Sequence, residues 1–245
     1  RRHQKQPGGC RMFVPLHDDN PLKKIRAQYV TIALIAANIV IFAGVRSGFF
    51  ANGEETALGF GVIPAVLFDL DKLAPEFAVI PEGLTLVTYN FLHGSWLHLI
   101  GNMLFLWVFG DNVEDATGHF RFLLFYLGCG IFAGLAHAAA LPSSDLPLVG
   151  ASGAVAGVIG AYLMLHPKVR LWVLVMWRIP IRVPALWALG FWAAIQLFNA
   201  LGGSGDNVAW WAHVGGLAAG AILIVFLRQP GVPLFDRPLA ANSTE

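Results

Sequence analysis

Apolar residues along this chain are gathered into six long stretches separated by polar connections. Residues 29–45, 91–110, 122–141, 148–165, 183–201 and 208–227 contain no Lys, Arg, Asp or Glu. Each is close to the roughly 20 apolar residues that cross the hydrocarbon core of a bilayer. Backbone N–H and C=O groups cannot be left unpaired in hydrocarbon, so six such stretches predict an all-α membrane protein, a bundle of six transmembrane helices. The long connection 46–90 mixes Glu54, Glu55, Asp69 and Asp71 with apolar residues 62–68, and it is expected to dip into the outer leaflet. Residues 171–177 are apolar but too short to span, and are expected to lie at the interface. The predicted organisation is a tail at 1–28, a six-span domain at 29–227 and a second tail at 228–245, with no internal repeat.

Composition strengthens this picture. The chain of 245 residues is 56% apolar and 13% charged, with mean hydropathy +0.63. Soluble domains carry about 25% charged residues, so an ordinary water-soluble globule is excluded. The net charge of +1 conceals an asymmetry. Placing both tails in the cytoplasm puts 14 of the 16 Lys and Arg residues on that side and leaves Arg46 and Lys72 on the other. This is the distribution that the positive-inside rule requires. Nothing in the pattern points to nucleic acid. Cys10 and Cys129 are too few for a disulfide framework and are expected to be free thiols. The first tail is polar and lacks the small-residue pattern of a cleavable leader, so a multi-pass protein of a bacterial inner membrane is expected.

Polar side chains inside the apolar stretches are costly and are candidates for function. Those singled out are His98 and Asn102 in the second stretch, His137 in the third, Ser152 in the fourth, Gln196 and Asn199 in the fifth and His213 in the sixth. The second, fourth and sixth stretches run in the same direction. At about 1.5 Å per residue, His98, Ser152 and His213 fall roughly 10, 6 and 8 Å below the outer ends of their helices. Gly153 with Gly157, and Gly216 with Gly220, put small residues four apart, the spacing that lets helix backbones approach. A Ser on one helix facing a His on its close neighbour is the arrangement of an activated nucleophile. Taken singly these residues mean less: a membrane Ser usually bonds back to its own helix, and a buried His usually serves packing.

Taken in order they carry a resemblance. The runs His93-Gly94-Ser95-Trp96-Leu97-His98-Leu99-Ile100-Gly101-Asn102, Gly150-Ala151-Ser152-Gly153 and Ala212-His213-Val214-Gly215-Gly216, together with Val113-Glu114 and Gly118, resemble the rhomboid intramembrane serine proteases. The resemblance implies Ser152 as nucleophile and His213 as general base, a dyad without a carboxylate. It implies an oxyanion site made by the Ser152 backbone N–H with the side chains of His98 and Asn102. His93, Gly150, Gly153, Gly216 and Gly220 would be supporting residues, His93 as a structural group or a water-retaining one. No metal, nucleotide or other cofactor is implied; the partners implied are single-span membrane substrates and lipid. Residues 202–207 would form a mobile lid, and Trp187, Phe191, Trp192 and Phe198 a lateral gate. The chain departs from the pattern in two places. Ala156 stands where relatives often carry the Tyr or Phe that packs on the His, and Leu84-Thr85 stands where many carry Trp-Arg; the one Trp-Arg pair here is Trp177-Arg178.

Other classes fit less well. A zinc protease of the membrane needs His-Glu-x-x-His, and an aspartyl one needs two intramembrane Asp; the chain has neither. A transporter predicts inverted repeats and polar groups at the midplane. The alternative from a different class is a catalytically inactive rhomboid-like protein that binds membrane clients.

Overall fold

The computed structural model describes residues 13–50, 52–175, 178–202 and 208–236. Among them, strand β1 (Phe13–Asp18) precedes helix α1 (Tyr29–Arg46), and the long connection folds into α2 (Gly53–Phe60), α3 (Pro64–Leu67), α4 (Glu82–Thr88) and a 3-10 turn (Tyr89–Phe91). Helices α5 (Trp96–Thr117), α6 (His119–Ala140) and α7 (Ser152–Leu165) follow. A hairpin of β2 (Arg170–Val175) and β3 (Ile179–Pro184) leads to α8 (Ala185–Gly202) and α9 (Trp210–Leu227).

Four of these helices, α1, α6, α8 and α9, are long and apolar enough to cross a membrane. The segment Glu82–Phe91 and α5, bent by 84° at the break between them, make a fifth if counted as one span. The fourth expected stretch, residues 148–165, is helical only over the 14 residues of α7, about 21 Å at 1.5 Å per residue. Its first part is held extended. Val62 and Leu148 exchange backbone hydrogen bonds of 3.1 and 2.7 Å across an isolated antiparallel bridge, and Gly150 takes φ +128°.

Helix α5 also differs from its stretch. It begins at Trp96, where the Ser95 hydroxyl caps it by accepting from the His98 N–H at 3.2 Å, so His93 lies outside the helix. It runs on to Thr117 through Asp111, Glu114 and Asp115, because the last two acids are occupied. Asp115 accepts from the backbone N–H groups of Lys23, Lys24 and Ile25 at 3.1, 2.6 and 2.8 Å. Glu114, fully buried, accepts from the N–H groups of Val30 and Thr31 at 3.0 and 2.8 Å and from the Thr31 hydroxyl at 2.7 Å. These are the donors that the first turn of α1 leaves unpaired, and Gln28 at its N-cap position offers them no side-chain acceptor. The C-terminal segment meets the same place, with Gln229 N–H donating to Ala116 O at 2.7 Å.

Of the apolar run 171–177 expected at the interface, residues 171–175 are strand, and 176–177 lie outside the described residues: β2 is the centre of a three-stranded antiparallel sheet in the order β1-β2-β3. The run is rich in residues that suit a pleated surface and its faces alternate. Leu171 and Val173 are buried and pair with Val183 and Ile181, while Trp172 on the other face lies 5.3 Å from the Arg182 guanidinium. Arg182 also pairs with Asp19. Both outer strands carry proline, Pro15 in β1 and Pro180 and Pro184 in β3, which removes edge donors.

Helix α7 packs against α5, α6 and α9, with most of its residues buried. The close approach expected from the small residues is met. A Cβ on Gly216 would lie 2.0 Å from Gly153 O, and one on Gly220 would lie 1.9 Å from Gly157 O, so the two backbones touch. Where α6 joins them, a Cβ on Gly157 would lie 2.5 Å from Cys129 Sγ of α6 and 3.2 Å from Gly216 O of α9. Cys129 is a free, buried thiol, as expected; Cys10 lies outside the described residues.

Candidate active site

A cavity of about 750 Å³ opens above the start of α7. Leu97, His98, Gly101, Asn102 and Phe105 of α5 form one wall, and Ser152, Val155 and Ile159 of α7 form its floor. His137 of α6, residues 146–149, Trp192 of α8 and His213 of α9 close the remaining sides. Four residues singled out in the sequence, His98, Asn102, Ser152 and His213, are thus brought to one cavity from three helices. His137 is a fifth polar group on the same wall system.

Ser152 is the first residue of α7 and is partly exposed. The segment 148–150 delivers it, through the helical turn at Ala151, to the helix N-terminus, where unpaired N–H groups and the helix dipole favour negative charge. Among the described residues its hydroxyl makes no hydrogen bond, so it is not yet joined to His213. Catalytic hydrogen bonds often tighten only once a substrate is bound.

His98 lies against the backbone just before Ser152. A Cβ on Gly150 would fall 2.5 Å from His98 Cε1 and 2.6 Å from Nε2, so the glycine is required both by its positive φ and by the imidazole over it. Asn102, one turn further along α5 and 92% buried, donates from Nδ2 to His93 Nε2 at 3.0 Å. The His93 and His98 rings meet edge to face with centroids 5.0 Å apart. His93 therefore stands behind the cavity and borders a second one of about 170 Å³ with Arg46, Thr56 and Leu92.

His213 is 9% exposed and is held by groups the sequence did not assign to it. Its Nδ1–H donates to Oε1 of Gln196 on α8 at 2.8 Å. The Trp192 and Trp210 rings flank it, with centroids 6.1 and 5.9 Å away and interplanar angles of 34° and 88°. The sequence left open what orients this imidazole, since Ala156 stands where relatives often carry a ring. The structure adds a hydrogen bond, which a list of polar residues within the apolar stretches contained but could not pair. Asn199, one turn beyond Gln196, does not line the cavity. Of the expected gate residues, Trp187, Phe191 and Phe198 are exposed on α8, whereas Trp192 turns inward. Residues 203–207 of the expected lid, and Trp177, lie outside the described residues. Among the described residues no group of His, Cys, Asp and Glu is arranged to hold a metal ion.

Comparison with known proteins bears on this arrangement. Residues 81–230 match the family model described as a Rhomboid domain, a segment that contains every residue of the cavity. The rhomboid protease GluP of Bacillus subtilis is 31% identical over 211 residues, 85% of this chain and 37% of that protein. Two Arabidopsis thaliana proteins are also similar. RHOMBOID-like protein 4 is 35% identical over 61% of this chain and 35% of its own length. The chloroplastic Rhomboid-like protein 11 is 42% identical over 32% of this chain and 28% of its own length. The chain therefore spans less than two fifths of the length of each of these relatives. With the family model covering more than half of its residues, this chain is an integral membrane protein that belongs to the rhomboid family.

Proposed function

We propose that this chain is an intramembrane serine endopeptidase that cleaves single-span membrane proteins in or beside the outer part of their transmembrane segment. The observation that carries the reading is the meeting of Ser152, His213, His98 and Asn102 on one cavity. Ser152 Oγ attacks the scissile carbonyl carbon while His213 Nε2 takes the hydroxyl proton, giving a tetrahedral intermediate. Its oxyanion is stabilised by the Ser152 backbone N–H and by donors on His98 and Asn102. Collapse breaks the C–N bond, and His213 returns the proton to the departing amine. Water, activated by the same imidazole, then adds to the acyl-enzyme and releases the acid. The absence of an intramembrane carboxylate fits a dyad rather than a triad.

The proposed topology has six spans, with both tails in the cytoplasm and residues 29–227 as the protease domain; a bacterial inner membrane is the proposed location. The distribution of Lys and Arg supports the orientation. Counting α7 as a span is supported by its burial against α5, α6 and α9, since a helix shielded by its neighbours need not match the bilayer in length. A helix of about 21 Å in a hydrocarbon layer of about 30 Å also leaves depth for an aqueous cavity above its first residue.

The test is reaction of the detergent-solubilised protein with a fluorophosphonate probe, followed by mapping of the labelled residue and by cleavage of a model single-span substrate. Labelling at Ser152 that is lost in His213→Ala, with cleavage lost in Ser152→Ala, is the expected result. A folded protein that neither labels nor cleaves would instead be a client-binding relative.

A further inference from the structure

We infer that Gln196 is the positioning residue of the general base, fixing His213 in the tautomer that carries its proton on Nδ1 and leaves Nε2 as the proton acceptor. This rests on the protease reading above. An amide oxygen accepts and does not donate, so the 2.8 Å contact between Gln196 Oε1 and His213 Nδ1 requires the proton on Nδ1. The orientation of the amide is itself set: Gln196 Nε2 donates to the backbone oxygen of Trp192 at 3.0 Å, which turns Oε1 toward the imidazole. Both partners are buried, His213 at 9% and Gln196 at 2% exposure, so the contact between them is shielded from water.

The sequence around the site explains why such a group is needed. No Asp or Glu lies within α7, α8 or α9, and Ala156, one turn after Ser152, presents no ring to His213. A neutral amide does the orienting work of a carboxylate without placing a second charge in a site surrounded by apolar walls. The same logic operates in cysteine proteases that use His with Asn. Gln196 stands on a helix that carries neither nucleophile nor base, and it does not line the cavity. It acts through His213 alone.

Three measurements on the full chain in detergent test this. The first is kcat and KM for a model single-span substrate, together with the rate of fluorophosphonate labelling, in Gln196→Leu and Gln196→Glu. The Leu variant is expected to lose about 10²-fold in kcat and in labelling rate, the lower end of what a competent general base supplies, with KM within about twofold. The Glu variant keeps an acceptor oxygen and is expected to recover at least about tenfold of that loss. The second is the ¹⁵N spectrum of histidine-labelled protein, with the His213 signals assigned by their absence in His213→Ala; a proton bonded to Nδ1 is expected in the wild type and its loss or redistribution in Gln196→Leu. The third is the melting temperature, which separates a misfolded variant from a misoriented base.

A Leu variant that labels within about threefold of wild type, or a wild-type His213 that carries its proton on Nε2, overturns the inference while leaving the protease reading intact. If the Leu variant does not fold, the wild-type spectrum and the Glu variant decide. Absence of Ser152 labelling in folded wild type, with the proton on Nδ1 as expected, overturns the protease reading instead.

Discussion

The carboxylate of Glu114 accepts from both the backbone N–H and the hydroxyl of Thr31, at 2.8 and 2.7 Å, so a residue near the end of α5 caps the start of α1. A fully buried acid is thereby exchanged for the local cap that Gln28 does not supply. His119, the first residue of α6, approaches the same carboxylate at 2.5 Å. Three helices are joined at this one group.

Replacing Glu114 by Ala leaves the Val30 and Thr31 donors unpaired. The expected cost is about 2–3 kcal/mol, combining a lost cap with buried donors left unsatisfied. Denaturant or thermal unfolding in detergent measures it, and an unchanged midpoint would show that water replaces the carboxylate.

Gly220→Ala places a Cβ 1.9 Å from Gly157 O and forces α7 and α9 apart. Loss of Ser152 labelling and a marked fall in melting temperature are expected. Gly190→Ala on α8 is the control, because nothing lies within 4 Å of its Cβ position; it is expected to melt at or above the wild-type temperature.

Gly150→Ala strikes the site with less effect on the bundle. The new Cβ collides with the His98 imidazole, and φ +128° suits a side chain poorly. If His98 donates to the oxyanion, kcat falls by about 10²-fold, the loss associated with one oxyanion donor, and His98→Ala gives a similar fall. Combining the two substitutions should then cost little more than either alone. A fall in the double variant equal to the product of both would separate Gly150 from His98.

Asp18 offers a dependence on pH. It accepts from Tyr162 Oη at 2.6 Å and from Asn112 Nδ2 at 3.0 Å, and its burial outweighs these bonds and pushes its carboxyl above the ordinary value of 3.8. A carboxyl raised in the folded state contributes stability that is full below its unfolded value and is lost as pH rises through its folded value. Relative to Asp18→Asn, the wild type is therefore expected to lose melting temperature as pH is raised from about 4 toward neutrality. Parallel melting curves for the two proteins over that range would remove Asp18 as the source.

Much of this molecule was legible before its structure. The sixth stretch, 208–227, differs from α9 by two residues, because apolar composition alone decides a lipid-facing helix. The convergence of His98, Asn102, Ser152 and His213 was legible because similar distances from the starts of alternate apolar stretches are one-dimensional information. What was not legible depended on pairs distant in sequence. Leu148 is kept out of α7 by Val62, and residues 170–175 are made a strand by β1 and β3. Gln196 was visible as a polar residue within its stretch, but its partner 17 residues away depends on how α8 rotates against α9.

The clamp of Glu114 and Asp115 also sets an order of events during synthesis. Residues 23–31 are the first part of the described chain to reach the membrane, yet their backbone partners are made more than eighty residues later. Strand β1 waits longer still, for β2 at residues 170–175. Helix α1 must therefore insert with its N-terminal donors met by water or headgroups, and the N-terminal segment is fastened only after the middle of the chain has followed. The segment leading into α1 is thus made early and fixed late, and a nascent chain stalled before residue 114 would hold α1 with its first turn still uncapped.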